Sequence, residues 1–362
     1  PTLHESTSLK ILRFTLADEI QNAVVGSGSR RMDWLAGFVC LGAGMTLFAR
    51  HFWVADIIAN LRVQLILGLL GTLVILLFLR RWRMVLVVTA VTIWQASWLI
   101  SAFQPAPVST NSQERPAAFA PAVQPQQLRV FLANVLTRNQ QHGHITAQIR
   151  EADPDVIVIL ELSSKLNATL HREFGESHQY AISEPQDDGN FGIGLWSRFS
   201  LTDASIFHLN SQWYPSIEAD VEFNSRRIRV FVTHPLPPVG SRNFAHRNKH
   251  LALLAKRIQQ HRNDDPECSR LLLGDLNLTP WSPFFSDLCS SSGLKNAAVG
   301  HGLQPTWYCG NLFPFGLVLD HALHCNDLRC IRREILPANG SDHRAIIFDM
   351  VLCQQDQPVR DP

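Results

Sequence analysis

The stretch RLLLGDLN, at Arg270–Asn277, decides the fold of the C-terminal part of this chain. Three leucines are followed by a glycine and then by the polar residues Asp275 and Asn277. A short apolar run that stops at glycine is typical of a buried strand, and the polar side chains after it lie where the strand leaves its sheet. Taken alone, this pattern is also explained by the preference of Asp and Asn for turns.

The same arrangement recurs on both sides of this stretch. Polar residues lie at the ends of predicted buried strands in six places. Five follow a strand, and these are Asn134, Glu161, His234, Asp275 with Asn277, and Asp320; the sixth, Asp342 with His343, precedes the strand AIIFDM. Because strand ends from packed sheets can converge on one rim, we expect these side chains to lie together. Carboxylates, amides and histidines suit a hard divalent cation and a phosphoryl group. The sequence therefore predicts a phosphoester-hydrolysing site.

The residue types match the needs of that reaction, which are an activated water, stabilised phosphoryl oxygens and a protonated leaving group. Glu161 offers an oxygen ligand for Mg²⁺, an ion that takes one or two carboxylates and keeps several waters. Asp320 can orient His343 and stabilise its cation. Asn277 can donate a hydrogen bond to a phosphoryl oxygen, and Asp275 can position or deprotonate the attacking water.

Short apolar runs dominate the chain from Leu128 onward. LRVFLANV at 128–135 and DVIVILEL at 155–162 are predicted strands, and further strands of this kind follow. The stretch from 243 to 262 is predicted to be a helix with one apolar face. Many strands, few helices and no strict alternation of the two indicate a two-sheet α+β domain.

Three uncharged apolar stretches precede this domain, at residues 34–49, 63–79 and 84–103. Each approaches the length of about 20 residues that crosses a bilayer, although buried core helices are an alternative. The predicted organisation is therefore an N-terminal cytoplasmic segment, a membrane anchor with three transmembrane helices, a Pro-rich linker and a hydrolase domain, and the boundaries are 1–33, 34–103, 104–127 and 128–362.

Arginines set the predicted orientation. Arg30 and Arg31 precede the first stretch, and Arg80, Arg81 and Arg83 separate the second from the third. With three spans both clusters lie on one face, which the positive-inside rule assigns to the cytoplasm. The hydrolase domain then lies on the other face, which is the periplasm if the membrane is a bacterial inner membrane.

The charge of the chain gives no sign of non-specific nucleic-acid binding. Lys and Arg number 32 against 31 Asp and Glu, and from Leu128 onward there are 22 basic and 25 acidic residues, a formal balance of −3. Such a domain lacks the basic excess that holds a polyanion, although Arg226, Arg227 and Arg229 could compensate locally. The seven cysteines lack the spacing of a zinc site.

The motifs, in their order, resemble those of the endonuclease/exonuclease/phosphatase superfamily. The similar stretches are Asn134 in LRVFLANV, Glu161 in PDVIVILEL, GIGLWSR, Thr233 with His234, GDLN, LDH at Leu319–His321, and GSDH at Gly340–His343. Three N-terminal spans with a Pro-rich linker are also similar to a bacterial membrane-anchored branch of this superfamily. Two positions depart from its pattern: Leu160 stands where many members have Gln, and no Arg or Lys stands just before Asp320.

The resemblance implies a four-layer αββα sandwich, in which helices flank two packed, mainly antiparallel sheets, and Mg²⁺ as cofactor with Mn²⁺ as the alternative ion. It also implies these roles: Glu161 binds the metal with Asn134 and Asp342 close to it, His343 with Asp320 acts as base or phosphate-binding group, Asp275 and Asn277 handle the nucleophile and the phosphoryl oxygens, and His234 protonates the leaving group or contacts the phosphate.

The predicted function is that of a membrane-anchored, metal-dependent phosphoesterase acting on phosphomonoesters or phosphodiesters. A tether near the bilayer favours lipid-derived esters, so the expected partners are a phosphoester substrate and membrane lipid, with no protein partner inferred. One alternative is a membrane-tethered nuclease acting on DNA or RNA. Another is a non-catalytic binding module of the same fold.

Overall fold

The computed structural model describes residues 31–104, 127–309 and 316–353. These residues divide into two compact units, the first made of residues 31–47 with Leu61–Trp98 and the second of Phe48–Asn60 with the described residues from Leu99 onward. Nearly all of the predicted N-terminal segment and of the predicted linker lies outside the described residues.

The helices of the described residues are α1 Arg31–Phe48, α2 Trp53–Asn60, α3 Arg62–Phe78, α4 Trp82–Ser97, α5 Ile100–Phe103, α6 His142–Ala152, α7 Ser164–Phe174, α8 Ser241–Asp264 and α9 Pro283–Ser292. The last turn of α1, Thr46–Phe48, is a 3-10 helix.

The strands are β1 Gln127–Asn134, β2 Val156–Leu160, β3 Tyr180–Glu184, β4 Ile193–Ser197, β5 Leu201–His208, β6 Pro215–Phe223, β7 Arg226–Thr233, β8 Ser269–Asp275, β9 Lys295–Asn296, β10 Trp307–Tyr308, β11 Gly316–Leu317, β12 Asp320–His324, β13 Leu328–Ile335 and β14 Ile346–Leu352.

The first unit is a bundle in which α1, α3 and α4 run alternately up and down. At one end Arg81, between α3 and α4, pairs with Asp33 near the start of α1. At the other end Gln95 of α4 accepts a hydrogen bond from Arg62 at the start of α3 and donates one of 3.0 Å to the carbonyl of Ala43 in α1. The start of α1 and the arginine-rich turn after α3 therefore lie at the same end of the bundle.

This bundle exposes large apolar side chains and buries polar ones. Trp34 is 80% exposed, Phe38 73% and Phe78 87%, whereas Thr72 and Gln95 are buried. A helix bundle that faces water has the opposite pattern, with the apolar stripe turned inward. Within the described ranges no one helix is both long and apolar enough to cross a bilayer, although α1 and α2, taken as a sharply bent pair, would be by length and composition.

The three predicted apolar stretches correspond to α1, α3 and α4, but a continuous third helix over 84–103 is wrong. The N–H of Trp98 bonds to the carbonyl of Gln95, three residues back, so the turn tightens and α4 ends at Ser97. The 17 residues of α3 cover about 26 Å at 1.5 Å per residue, which is less than the hydrocarbon thickness of about 30 Å.

The second unit contains two six-stranded sheets and a two-stranded ribbon of β10 and β11. The first sheet has the order β13-β14-β1-β2-β4-β3 and the second the order β5-β6-β7-β8-β12-β9. Each sheet has one parallel pair, β1 with β2 and β7 with β8, among antiparallel neighbours. The two mixed sheets, flanked by helices, confirm the predicted α+β sandwich.

Alternation along the strands explains the layers. In β1, Val130 and Leu132 face the core between the sheets, while Phe131 faces a second core that includes Ile145 of α6 and Leu166 of α7. On the other sheet, one face of α8 and α9 packs through the residues Leu251, Leu254, Ile258, Phe285 and Leu288. Helix α8 extends two residues beyond the predicted helix at each end, and the seven cysteines are all free.

Candidate active site

The register of the strands brings the predicted polar residues together. Asn134 pairs with Leu160 across the parallel β1 and β2, so Glu161 follows beside it. In the other sheet, Asp320 of β12 lies directly opposite Asp275 of β8. The side-chain amide nitrogen of Asn134 donates to Glu161 Oε1 at 2.9 Å and to Asp275 Oδ2 at 3.1 Å. One amide therefore joins the carboxylates of the two sheets.

The backbone is strained at two of these positions. Glu161 has φ +57° and Asn277 has φ +51°, a left-handed conformation that is uncommon for residues other than glycine. Such conformations persist only where the surrounding structure enforces them, and they cluster at functional sites. They turn the chain sharply as it leaves β2 and β8, so that the side chains stay at the rim.

Glycine is required at the end of β8 for a different reason. A Cβ atom on Gly274 would lie 2.1 Å from the carbonyl oxygen of Thr233 in β7. No side chain fits this gap, so the GDLN motif needs its glycine to let β7 and β8 approach each other. That approach places His234, which follows Thr233, beside Asp275.

His343 and Asp320 form a buried ion pair. Asp320 Oδ2 lies 2.8 Å from His343 Nδ1, and Asp275 Oδ2 lies 3.5 Å from His343 Nε2. Burial alone would lower the pKa of His343, but the charges of Asp320 and Asp275 raise it to about 10. Burial likewise opposes ionisation of Asp320, yet the charge and hydrogen bond of His343 lower the pKa of that carboxyl. The pair is therefore an imidazolium with a carboxylate.

His234 lies on the other side of the same carboxylates. Its Nδ1 atom is 3.6 Å from Asp275 Oδ2, and its Nε2 atom is 3.9 Å from Glu161 Oε1. Burial lowers the pKa of His234, because the charged imidazole would lose its hydration. A neutral histidine next to a charged one gives the rim two imidazoles in different protonation states.

Asn277 is held at the rim by hydrogen bonds to Pro235 and Asp275. Its side-chain amide nitrogen donates to the carbonyl of Pro235 at 2.9 Å, and its backbone N–H donates to Asp275 Oδ1 at 2.9 Å. The second amide hydrogen of that nitrogen is available to a phosphoryl oxygen. Asn277 thus ties the loop after β8 to the loop after β7.

Asp342 does not join the others. Its side chain is exposed and accepts a hydrogen bond from the indole nitrogen of Trp307 at 2.9 Å. His343, the next residue, is buried at the rim. Asp342 lies in a bend and His343 forms an isolated β-bridge with Trp307, so only one of the two side chains enters the site. Within the described residues, the predicted contact of Asp342 with Glu161 and Asn134 is not formed.

The remaining residues fit a divalent cation. One side-chain atom each from Asp275, Asp320 and His343 lie within 4.8 Å of one another, so two carboxylates lie close together at the rim. Glu161 Oε2 is buried and has no hydrogen-bond partner among the described residues, although buried acceptors are nearly always satisfied. Burial raises the pKa of Glu161, and it raises the pKa of Asp275 to about 7, because the nearby histidines only partly offset the loss of hydration. Glu161, with Asn134 beside it, supplies the free oxygen that such an ion requires.

Sequence reasoning missed three supporting residues. The Ser341 hydroxyl donates to the carbonyl of Asn134 at 2.9 Å, and Thr233 Oγ1 lies 2.8 Å from His250 Nε2. Thr306 Oγ1 accepts a 3.1 Å hydrogen bond from the backbone N–H of Asp320. Ser341 and Thr233 lie inside the GSDH and TH motifs, which could have pointed to them. No sequence pattern points to Thr306, because its contact with Asp320 of β12 arises from tertiary packing.

Residues 128–343 match the Endonuclease/Exonuclease/phosphatase family. Among solved structures, TDP2 from D. rerio, complexed with single-strand DNA product, is 16% identical with a TM-score of 0.52, and the match covers 62% of this chain and 99% of that chain. The human Nocturnin catalytic domain with bound sulfate is 17% identical with a TM-score of 0.52, covering 62% and 94%.

An endonuclease/exonuclease/phosphatase from Beutenbergia cavernae is 17% identical with a TM-score of 0.51, and the match covers 63% of this chain and 72% of that chain. A comparison with curated proteins gives no match. The likeness to solved structures shows the shared fold, and the family match extends over more than half of the chain, through every motif that lines the rim. The chain belongs to the endonuclease/exonuclease/phosphatase family.

Proposed function

We propose that this protein is a membrane-anchored phosphoesterase that uses a divalent metal ion, Mg²⁺ or Mn²⁺, and belongs to a membrane-anchored bacterial branch of its family. The single observation that carries the catalytic part is the rim itself. Asn134 bridges Glu161 and Asp275, while Asp320 holds His343 against the same Asp275. Members of this family hydrolyse phosphoester bonds, and carboxylates, amides and imidazoles suited to that chemistry lie at this rim.

Glu161, with Asn134 beside it, would hold the metal. The ion, when bound, neutralises charge on the phosphoryl group and favours departure of the leaving oxygen. Asp275 accepts a proton from the attacking water or orients it. The His343 imidazolium and the amide of Asn277 donate hydrogen bonds to phosphoryl oxygens.

His234, neutral and buried next to Glu161, contacts the phosphate or protonates the leaving group after taking up a proton. Its Nδ1 atom has no hydrogen-bond partner among the described residues. A bound substrate or its water would supply that partner.

The helical bundle supports the membrane location. Its outward apolar side chains need a nonaqueous surround. The buried Arg62 lies at one end of the bundle, whereas four of its arginines, Arg31, Arg80, Arg81 and Arg83, lie at the other end, where α1 starts and where α3 turns into α4. Under the positive-inside rule this end lies in the cytoplasm, which gives an inner-membrane protein with its catalytic unit in the periplasm.

A small or lipid-derived phosphoester is the favoured substrate. The arginine cluster that could have held a polyanion is engaged by local acids, because Arg229 pairs with Asp220 and Arg227 pairs with Asp265. Paired arginines contribute little to binding a phosphate backbone, which needs free cations. The alternative, a membrane-tethered nuclease, is supported by the likeness to D. rerio TDP2, whose structure contains single-strand DNA product.

A substrate panel tests this proposal. The purified full chain in detergent, with Mg²⁺ or Mn²⁺, is incubated with phospholipids, inositol phosphates, a chromogenic phosphodiester, single-stranded DNA, duplex DNA and RNA. We expect turnover of the small or lipid-derived esters, and loss of that turnover in Glu161→Ala and with EDTA. Cleavage confined to nucleic acid would establish the nuclease instead. Inactivity on the whole panel would favour the non-catalytic binding module.

A further inference from the structure

Helix α2 lies in sequence between α1 and α3, yet it packs within the unit that carries the active site. Its Asp56 forms an ion pair of 2.9 Å with Arg247 of α8, and both side chains are 0% exposed. Fully buried charges are rare, and they persist only when they are paired and hydrogen-bonded. The pair therefore marks a contact of high specificity between the N-terminal part of the chain and the hydrolase domain.

Arg247 connects this pair to the catalytic loop. Its Nη1 atom donates to the backbone carbonyl of Asn277 at 3.1 Å, while its Nη2 atom donates to Asp56. Burial lowers the pKa of Arg247, and Asp56 opposes that shift. Asp56 thus fixes the cation that restrains the left-handed residue at the end of the GDLN motif.

A second residue of α2 holds the continuation of this loop. Asn60 Oδ1 accepts hydrogen bonds from the backbone N–H of Thr279 at 2.7 Å and from its hydroxyl at 2.9 Å. The carbonyl of Asn60 accepts a bond of 3.0 Å from the indole nitrogen of Trp281, and Asp56 accepts one of 3.2 Å from Ser282. Four polar contacts from one short helix therefore fall on residues 279–282, directly after the catalytic Asp275 and Asn277.

Simple packing does not explain this arrangement. Well-packed apolar residues fill a buried space as well as an ion pair does, often with greater stability. Hydrogen bonds are directional, and each of these contacts restrains a backbone or side-chain atom of the same loop. A displacement of about 1 Å at a catalytic group lowers rates by about 100-fold, so restraint of this loop bears on catalysis.

We propose that Asp56 and Asn60 are positioning residues for catalysis, and that α2 acts through Arg247 and Thr279 to hold the loop of Asp275 and Asn277. The proposal rests on the proposed phosphoesterase function. It makes a segment between the first two predicted spans an integral part of the active-site support.

The test uses the full chain in detergent with Mg²⁺ and a chromogenic phosphodiester, and measures kcat, KM and thermal midpoint. Asp56→Asn is expected to lower kcat by about tenfold or more while KM stays within about twofold. The matched control is Arg50→Ala, which breaks the exposed pair of Arg50 with Asp287 on the same segment and is expected to leave kcat within about twofold.

A second variant separates positioning from folding. Asp56→Leu combined with Arg247→Met removes both charges and keeps the space filled, so the thermal midpoint is expected to stay near that of the wild type. Its kcat is nevertheless expected to fall by about tenfold or more, because the carbonyl of Asn277 loses its charged donor. A wild-type kcat in this folded double variant would overturn the proposal.

Hydrogen–deuterium exchange gives a readout that needs no turnover. The Thr279 amide, which donates to Asn60, is expected to exchange faster in Asn60→Ala and in Asp56→Asn than in Arg50→Ala. If the wild type turns over none of the substrates, the proposed function fails, while the exchange rates still decide whether α2 holds the loop. Unchanged exchange at residues 276–279 in both variants would overturn the positioning role.

Discussion

At the scale of single residues, the amide of Asn134 organises the rim. A shift of this side chain would break its hydrogen bond to Glu161 or to Asp275. Its nitrogen donates to Glu161 from one sheet and to Asp275 from the other. An amide is suited to this place because it carries no charge and can donate to both carboxylates at once. Bringing carboxylates together lowers the stability of the fold. Glu161 contributes to this cost, because its Oε2 atom has no hydrogen-bond partner among the described residues.

The first prediction concerns that cost. Glu161→Gln keeps the shape of the side chain but removes its charge, so metal-dependent turnover should fall by about 100-fold or more. Because burial raises the pKa of Glu161, the metal-free variant should unfold at the same temperature as the wild type or higher. Thermal scans in EDTA and initial rates across an Mg²⁺ titration check both parts.

The matched control is Glu222→Gln, at an exposed glutamate of β6, which should change neither rate nor stability. A Glu161→Gln variant with undiminished turnover would refute the role of Glu161 as a metal ligand.

Most of the rim could be predicted because its residues lie next to apolar runs that are recognisable as strands. Asp275 and Asp320 follow short leucine-rich or valine-rich runs, and their mutual distance is fixed by a direct strand pairing. The outward turn of Asp342 could not be predicted, since the motif GSDH does not state which of two adjacent side chains enters the site. The contacts of Asp56 and Asn60 could not be predicted either, because they depend on tertiary packing with residues more than 190 positions away.

At the scale of elements, the close spacing of β7 and β8 places His234, which follows β7, beside Asp275 at the end of β8. Gly274→Ala should destabilise the domain by about 3 kcal/mol or more, because the added methyl would meet the carbonyl of Thr233 at 2.1 Å. Urea unfolding of the variant and the wild type measures this difference.

Gly143→Ala in α6 is the comparison for this change. Nothing lies within 4 Å of the Cβ position there, and alanine is the better helix former, so stability should rise by about 0.5 to 1 kcal/mol. Equal effects of the two substitutions would show that the close strand approach has no energetic weight.

The contact of β7 with α8 predicts a pH dependence of stability. Burial lowers the pKa of His250, whose Nε2 atom lies 2.8 Å from Thr233 Oγ1, from 6.5 to about 3. As the pH falls, His250 therefore binds a proton near pH 6.5 in the unfolded chain but only near pH 3 in the folded chain. Stability contributed by this histidine is fully present above pH 6.5 and is lost as the pH falls, by about 1.4 kcal/mol per pH unit.

Urea unfolding between pH 7 and pH 4 tests this dependence. His250→Gln should remove one proton from the difference between the folded and unfolded states, which flattens the acid side of the profile. His144→Gln on the exposed face of α6 should keep the wild-type slope. A His250→Gln profile parallel to that of the wild type would rule out this source of acid sensitivity.

At the scale of the whole molecule, the α+β character of the part from Leu128 onward could be predicted from the sequence, whereas the place of residues 48–60 in the same compact unit as the sheets could not. The sequence predicted the third apolar stretch as one helix, whereas that stretch breaks after Ser97. Hydropathy reports the composition of a segment and carries no information on where its backbone hydrogen bonds stop.

The proposed topology can be tested with fusions to reporters that are active only in the periplasm. A reporter placed after Asp361 should be active, and one placed at Arg81, in the turn between α3 and α4, should be silent. The reason is that this turn and the start of α1 share one end of the bundle through Arg81 and Asp33, and positive charge is retained in the cytoplasm. The reverse pattern would place the hydrolase domain in the cytoplasm.

The docking of α2 also has a consequence for biogenesis. Asp56 leaves the ribosome 191 residues before its partner Arg247, and at 5 to 20 residues per second this interval is about 10 to 40 s. During that time Asp56 and Asn60 lack their partners, because Arg247 of α8 and Thr279 of the loop after β8 have not yet been made. The docking of α2 therefore has to follow the synthesis of α8, so a nascent chain stalled before α8 should leave α2 open to protease.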